Sequence, residues 1–244
     1  MLSKSHLKLI NSLKQKKFRM QHRLFIAEGV KTIHELLHSE IRLHQLYTTT
    51  LAFDVSDDLQ TIITPNELKK ISFLKTPNTA LALFKIPESK PVDTSQLVVA
   101  LDDVRDPGNL GTIIRLCDWF GVRDLVCSLK TVDCYNPKTI QASMGSISRV
   151  NISYTELISF VKDCPLQSFG AFMDGNNVYT EDLPNACILI LGNEANGIST
   201  ALEKQIHTRI TIPRFGDFQE TESLNVANAT AVLISEFKRR TIER

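Results

Sequence analysis

The sequence lacks the long apolar segments of a membrane or exported protein. Its longest uninterrupted apolar run covers only residues 186–191, far short of the roughly 20 residues that cross a bilayer. The basic N-terminus has no apolar core of the kind found in signal peptides. We therefore expect a cytoplasmic protein. Its 244 residues are enough for one large domain or two small ones.

Residues that bind metals or form disulfides are few and scattered. The five cysteines form no Cys-x-x-Cys pair, and five of the six histidines lie within the first 44 residues. Zinc sites need ligands clustered at short spacings, so we expect no metal. In a cytoplasmic protein the cysteines should be reduced and mostly buried. The loops described below contain no Ser-His-Asp or Cys-His set, which argues against acyl-transfer chemistry.

The chain has almost no net charge, but the charge is divided unevenly. The formal net charge is +1, with eight basic and two acidic residues in 1–35, so that this segment carries +6 and the rest −5. A basic arm on an acidic body is typical of proteins that contact nucleic acid through counterion release, although a solvated helix face has the same composition. The candidate nucleic-acid contacts are five basic side chains of this arm: Lys14, Lys16, Lys17, Arg19 and Arg23.

Two prolines within residues 87–91 mark the best candidate for a linker. Before it, helices (one over 5–17) and short strands predict a small α/β domain over residues 1–90. After it, strands alternate with helices, which predicts an α/β domain with a mainly parallel sheet over residues 95–244. Continuous apolar strands such as 188–191 are typical of parallel sheets covered by helices on both faces.

Three loops at predicted strand exits are rich in glycine, asparagine and charge, and ligands of open parallel sheets bind at this edge. The first loop leads from residue 102 into a helix predicted over 109–120. Asn109 is the expected N-cap of that helix. Arg115 lies among apolar neighbours, and arginine in such a setting usually has a carboxylate or phosphate partner.

The second loop, residues 192–199, follows the apolar strand 188–191. Its two glycines and two asparagines expose backbone groups to a closely fitting ligand. Glu194 either takes part in this site or is simply solvated. The loop lacks the Gly-x-Gly-x-x-Gly spacing of dinucleotide-binding proteins, which argues against NAD and against a nucleotide-dependent enzyme of that type.

The third loop runs from Ile212 to a last helix predicted over 223–240, with Ser223 as its candidate N-cap. Asn225 and Asn228 lie three residues apart and should share a face of that helix. Because asparagine is a poor helix former, the pair indicates a hydrogen-bonding role.

Together the three loops resemble the signature motifs of the SpoU-type (TrmH-like) RNA ribose 2′-O-methyltransferases of the SPOUT superfamily. The matches span about residues 97–240, in the family's order, whereas residues 1–90 resemble the family's substrate-binding domain more loosely. The matching residues are Asn109, Gly111 and Arg115 for N-x-G-x-x-x-R; Leu191, Gly192, Glu194 and Gly197 for L-G-x-E-x-x-G; and Ile212, Pro213, Ser223, Leu224, Asn225 and Val226 for I-P…S-L-N-V.

The resemblance implies an α/β domain with a trefoil knot, a homodimer, S-adenosylmethionine as cofactor and no metal. The implied cofactor-binding residues are Leu191, Gly192, Gly197, Ile212, Leu224, Asn225 and Ala227. The implied catalytic residues are Arg115, Asn109, Glu194, Ser223 and Asn225.

The implied reaction transfers a methyl group to a ribose 2′-hydroxyl of structured RNA, with ribosomal RNA favoured over transfer RNA by the extra N-terminal domain. A hydroxyl is a weak nucleophile, so the reaction needs alignment and help with the proton. Two roles for Arg115 stay open. It assists deprotonation, or, since arginine remains protonated, it orients a phosphate and stabilises the alkoxide.

The third loop and residues Asn228 and Thr230 depart from the family pattern, and one alternative function remains. The third loop is longer than expected and contains Asp217, Glu220 and Glu222, whose negative charge beside an RNA site leaves the role of the loop open. The alternative is a non-catalytic RNA-binding or assembly protein that retains the fold. The intact motifs argue against it.

The basic arm leads to a first testable prediction. Replacing Lys14, Lys16 and Lys17 together with glutamine should flatten the dependence of log Kd for RNA on log salt concentration, because each phosphate contact contributes about 0.7–0.9 to that slope. Filter-binding titrations at several salt concentrations measure the slope. An unchanged slope would assign the three lysines to a solvated helix face.

Overall fold

A computed structural model describes the backbone of residues 2–216 and 223–242. The chain divides into two units, the first formed by Met1–Glu88 with Asp133–Ser148 and the second by Ser89–Val132 with Arg149–Arg244. The chain first passes from one unit to the other between Glu88 and Ser89. The predicted division at 90–95 did not anticipate that residues 133–148 pack with the N-terminal part of the chain.

The helices and strands follow one another in short alternation. The helices are α1 (Lys4–Ser12), α2 (Lys16–His22), α3 (Val30–Leu37), α4 (Pro65–Ile71), α5 (Pro107–Trp119), α6 (Pro137–Ser143), α7 (Leu157–Asp163), α8 (Thr200–Glu203) and α9 (Val226–Ile242). The strands are β1 (Leu24–Glu28), β2 (Leu43–Thr48), β3 (Gln60–Ile62), β4 (Ala80–Lys85), β5 (Val98–Leu101), β6 (Asp124–Ser128), β7 (Asn151–Thr155), β8 (Ser168–Asn177), β9 (Ile188–Leu191) and β10 (Thr208–Thr211). No helix within the described ranges is long and apolar enough to cross a bilayer.

The first unit is built on a mixed sheet in the order β1-β4-β2-β3. β4 pairs antiparallel with both β1 and β2, whereas β3 joins β2 in parallel. Ile26, Tyr47 and Leu83 from three of these strands meet Ile10 and Leu68 of α1 and α4 in one buried cluster. The inserted segment adds to the packing of β1, since the ring of Tyr135 lies 5.0 Å from that of Phe25.

Arg19 is a buried residue of the first unit, although its sequence context suggested a nucleic-acid contact. Its side chain is 2% exposed, and Nε and Nη2 donate to Asp133 Oδ2 at 2.9 and 2.6 Å. Nη1 donates to the carbonyl oxygens of Leu13 and Lys14, both at 2.8 Å. The guanidinium therefore cannot reach a phosphate outside. The other four predicted contacts are exposed: Lys14, Lys16, Lys17 and Arg23.

The same contacts explain why the helix predicted over residues 5–17 is two helices. α1 ends at Ser12, and α2 begins at Lys16. Leu13 is fully buried, and its carbonyl and that of Lys14 accept hydrogen bonds from Arg19 instead of from the next helical turn. A break in the helix is favourable here because its free carbonyls have a charged donor.

The second unit contains a six-stranded sheet in the order β10-β8-β9-β5-β6-β7, and every pair in it is parallel. This confirms the predicted α/β class with a mainly parallel sheet. β5 and β9 are buried at every residue. They pair in register, with Val98 opposite Ile188 and Leu101 opposite Leu191. The two strands thus end at the same level, and the N–H of Asp102 donates to the carbonyl of Leu191 at 2.9 Å.

The buried Arg19–Asp133 pair gives a stability prediction. Asp133→Ala leaves the guanidinium buried without its carboxylate, which should lower the free energy of unfolding by about 3–5 kcal/mol. Urea unfolding followed by circular dichroism measures the change.

Asp118→Ala is the matched control, because it removes the carboxylate of the more exposed Arg149–Asp118 pair and should change stability by about 0–1 kcal/mol. The double variant Arg19→Met, Asp133→Leu should recover most of the loss. Equal small effects of Asp133→Ala and Asp118→Ala would contradict the prediction.

Candidate active site

The first candidate loop leads directly into α5. The helix begins at Pro107, and the carboxylate of Asp106 caps it by accepting the N–H of Asn109 at 2.8 Å. Asn109 is therefore not the N-cap, as its position had suggested; it lies inside the first turn with its side chain free for another task. An aspartate followed by proline at the first helical position is a strong start signal. Buried apolar residues, from Leu110 to Cys117, fasten the helix to the core.

Asn109 lies at the centre of a chain of side-chain hydrogen bonds that joins all three candidate loops. Its Oδ1 accepts from Asn225 Nδ2 at 3.0 Å, and its Nδ2 donates to Glu194 Oε1 at 2.8 Å. We call Asn225, Asn109 and Glu194 the amide relay. Because an ionised carboxylate only accepts, Asn109 must turn its nitrogen to Glu194 and its oxygen to Asn225.

The second loop is closed by backbone hydrogen bonds into a tight hairpin. The N–H and C=O groups of Asn193 and Gly197 exchange two hydrogen bonds of 2.9 Å. Gly197 has φ +66°, and Gly192 lies so close that a Cβ there would come within 2.1 Å of the carbonyl carbon of Gly197. A side chain at 192 would therefore open the hairpin. Glu194 lies in this hairpin, and the backbone of the hairpin determines the direction of its side chain.

Two further contacts tie the hairpin to the end of β5. The Asp102 carboxylate accepts the N–H of Ser199 at 2.8 Å, and Asn193 Nδ2 donates to the carbonyl of Asp103 at 2.7 Å. Asp102 and Asn193 are not among the residues that match the three family motifs. A signal was present for Asp102, since an aspartate directly after a fully apolar strand stands at the ligand-binding edge of the sheet.

The third loop places Asn225 at the start of α9. The helix begins at Val226, and Asn225 Oδ1 accepts the N–H groups of Ala227 and Asn228 at 2.9 and 3.3 Å. Asn225, not Ser223, is therefore the N-cap, and it meets Asn228 through the backbone rather than on a shared helix face. The two ends of its amide have separate roles, because Oδ1 caps the helix while Nδ2 donates to Asn109 in the relay.

Arg115 lies two turns into α5 and is exposed. Among the residues that the structure describes, it has no hydrogen-bond or ion-pair partner, so the partner expected for this arginine is not supplied within the described part of the chain. Ser223 is exposed as well, and the relay hydrogen bonds do not include it. Asp217, Glu220 and Glu222 lie outside the described residues.

The residues implied in cofactor binding differ in accessibility. Leu191 and Ala227 are buried, and their backbone groups already bond to Asp102 and Asn225. Gly192 and Ile212 are partly buried, whereas Gly197 is exposed and Leu224 is 51% exposed. Within the described ranges, no three His, Cys, Asp or Glu residues are grouped so as to hold a metal.

Comparison with known proteins gives matches along most of the chain. The sequence profile of the SpoU rRNA Methylase family matches residues 96–235. That of the MRM3-like substrate binding domain matches residues 4–82. The protein is also similar to the 23S rRNA (guanosine(2553)-2′-O)-methyltransferase RlmP of Bacillus subtilis, with 29% identity over 231 residues and 91% of each chain covered.

Solved structures agree in fold. An RNA methyltransferase of the TrmH family from Porphyromonas gingivalis has 36% identity, covers 98% of this chain and 99% of its own, and has a TM-score of 0.89. The AdoMet-bound rRNA methyltransferase from Sinorhizobium meliloti has 27% identity, covers 98% and 97%, and has a TM-score of 0.85. The family inferred from the three motifs is thereby confirmed, and the chain belongs to the SpoU rRNA methylase family.

Proposed function

We propose that the protein transfers a methyl group from S-adenosylmethionine to a ribose 2′-hydroxyl of ribosomal RNA. The observation that carries this proposal is the amide relay, which joins one side chain from each of the three motif loops: Asn109, Glu194 and Asn225. The relatives support the choice of reaction, because the Bacillus subtilis protein is named as a 23S rRNA 2′-O-methyltransferase.

The loops fit S-adenosylmethionine, which the Sinorhizobium meliloti relative binds. A Cβ at Gly197 would meet no atom within 4 Å, so this side of the hairpin is open. Leu224 offers a half-exposed apolar side chain on the third loop. We assign Gly192, Gly197, Ile212 and Leu224 to cofactor contact, with Leu191 and Ala227 holding the loops from inside. When bound, the cofactor supplies a methyl group on a positively charged sulfur.

The residues of the site align the hydroxyl and stabilise its oxygen, while the proton that methyl transfer sets free passes to solvent water. Glu194 Oε1 is bonded to Asn109, while Oε2 has no hydrogen bond to a described residue and can accept one from a ribose hydroxyl. Because an arginine side chain is a poor proton acceptor, we assign Arg115 to stabilising the developing alkoxide or a neighbouring phosphate rather than to removing the proton. Ser223 would position the substrate.

The first unit supports ribosomal RNA as substrate. Its residues 4–82 match a substrate-binding domain, and its exposed cations Lys14, Lys16, Lys17 and Arg23 suit the phosphates of a structured RNA. We place the reaction in the cytoplasm.

We also propose that the chain forms the family's homodimer and trefoil knot. Thr112, Arg115 and Trp119 lie along one exposed stripe of α5, and the indole of Trp119 is 83% exposed. A large aromatic side chain in that position is typical of an interface. Light scattering of the wild-type protein and of Trp119→Glu would show whether the stripe holds two copies together.

The alternative of a non-catalytic RNA-binding protein is not favoured, because it gives no reason to retain the relay. Calorimetry with S-adenosylmethionine separates the two functions. An absence of binding at millimolar cofactor would support the alternative, and ribose-methylation mapping of total RNA from cells with and without the protein would identify the target.

Arg115→Ala should retain the fold and cofactor binding and lose methyl transfer by about 100-fold or more, because an electrostatic stabiliser of the transition state is removed. Incorporation of labelled methyl groups into rRNA transcripts measures the rate. Lys162→Ala, which removes an exposed cation from α7, is the control. Transfer near the wild-type rate by Arg115→Ala would overturn the role given to this arginine.

Substitutions of Asn225 separate the relay from the helix cap. Asn225→Ala should lower the free energy of unfolding by about 1 kcal/mol, whereas Asn225→Asp retains the cap. Neither variant can donate to Asn109 Oδ1, so both should transfer methyl groups slowly. Urea unfolding and transfer assays measure the two effects. Wild-type activity of Asn225→Asp would show that only the cap matters.

A further inference from the structure

The first candidate loop, which leads to Asn109 of the relay, also carries an arginine whose guanidinium has a defined orientation. Arg105 belongs to the first loop, and its side chain is 68% exposed. Nε and Nη2 donate to Asp103 Oδ1 and Oδ2 at 2.9 and 2.7 Å. This two-point contact fixes the plane of the group. The contact with Asp103 uses only one edge of the guanidinium, so both N–H groups of Nη1 and one N–H of Nη2 remain available as donors.

The carboxylate that holds Arg105 is itself firmly placed. Asp103 has φ +59°, a left-handed conformation that aspartate tolerates better than most residues. Its N–H donates to Ser128 Oγ at 2.9 Å, and its carbonyl accepts from Asn193 Nδ2 at 2.7 Å. Arg105 is therefore connected through Asp103 to the hairpin that carries Glu194.

Electrostatics agrees with this arrangement. The hydrogen bonds from Arg105 and the charges of Arg105 and Lys130 lower the pKa of Asp103, so the carboxylate is ionised at neutral pH. Asp103 raises the pKa of Arg105, and the charge of Glu194 raises it further. The charge of Glu194 thus favours the protonated guanidinium of Arg105.

The chemistry of RNA suggests what the open edge of Arg105 would meet. The 2′-hydroxyl and the 3′-phosphate stand on adjacent carbons of one ribose, so a hydroxyl aligned by Glu194 brings a phosphodiester close to this loop. A planar guanidinium with parallel N–H groups matches two phosphate oxygens.

We propose that Arg105 is a substrate-binding residue that holds the phosphodiester next to the target ribose, with Asp103 as its positioning residue. This inference rests on the proposed function, because it assumes an RNA substrate. It adds a residue outside the three motifs to the site and explains why an exposed arginine is held at two points. The Arg105–Asp103 pair then serves orientation, since an exposed ion pair contributes little to stability.

The test compares Arg105→Ala with Arg149→Ala. Arg149 makes a similar pair with Asp118, with Nε 3.0 and 2.9 Å from the two oxygens, so its loss controls for removing a paired surface arginine. The probe is an unmodified 23S rRNA transcript with labelled S-adenosylmethionine. Arg105→Ala should lower kcat/KM for the RNA about tenfold, and the slope of log KM against log salt should fall by about one phosphate contact. Arg149→Ala should change neither.

Two further measurements make the test specific. The Kd for S-adenosylmethionine should stay at the wild-type value in Arg105→Ala, because the change concerns the RNA alone. Arg105→Lys keeps the charge and loses the two-point contact with Asp103, so it should keep the salt slope and have an intermediate kcat/KM. If Arg105→Ala fails to fold, Arg105→Gln, which can still donate to Asp103, replaces it.

The outcomes distinguish this inference from the proposed function. If the wild-type protein transfers no methyl group to rRNA, the proposed function fails, and the inference fails with it. If the wild-type protein is active and Arg105→Ala behaves like Arg149→Ala, the inference alone is wrong.

Discussion

The in-register pairing of β5 with β9 is the constraint on which the site depends. Leu101 lies opposite Leu191, and the next N–H along the chain, that of Asp102, bonds to the Leu191 carbonyl. Both loops therefore start at one level, side by side. A slip of one residue would shift them by about 3.3 Å and reverse every side chain of the strand. Since both strands are buried throughout, such a slip would disrupt the packing of the core. The core therefore fixes the relative positions of the two loops.

The relay is built from groups that also have structural tasks. Asn225 caps α9, and Asn109 lies in the first turn of α5, whose cap is Asp106. Glu194 stands in a hairpin closed by Asn193 and Gly197. An exposed hydrogen bond contributes only about 0.5–1.5 kcal/mol, so the relay does not hold these loops together. The helix caps and the hairpin determine where its three members lie, and the hydrogen bonds of the relay result from those positions.

Sequence patterns predicted the parts of the fold that depend on neighbouring residues. The apolar run at 188–191 indicated a buried parallel strand, and the three loops rich in glycine, asparagine and charge were predicted at the ligand-binding edge of the sheet. Arg19 could not be predicted in this way, because its partner Asp133 lies 114 positions away and the residues around it are those of a basic arm. Periodicity likewise continued through residues 13–15, where a tertiary contact ends the helix. The packing of 133–148 with the first unit left no local signal.

Charged residues are arranged differently in the two units. Arg19 is neutralised inside the first unit, so the cations of the arm that we propose to contact RNA are the exposed Lys14, Lys16, Lys17 and Arg23, which suit sequence-independent contact with phosphates. In the second unit one pair of charged groups in the first loop, Arg105 and Asp103, is opposed. Opposed charges add little net attraction, but they fix directions. The nearly neutral sum of the chain therefore combines two arrangements of charge, and the proposed function assigns one to binding a polyanion and the other to aligning a single ribose.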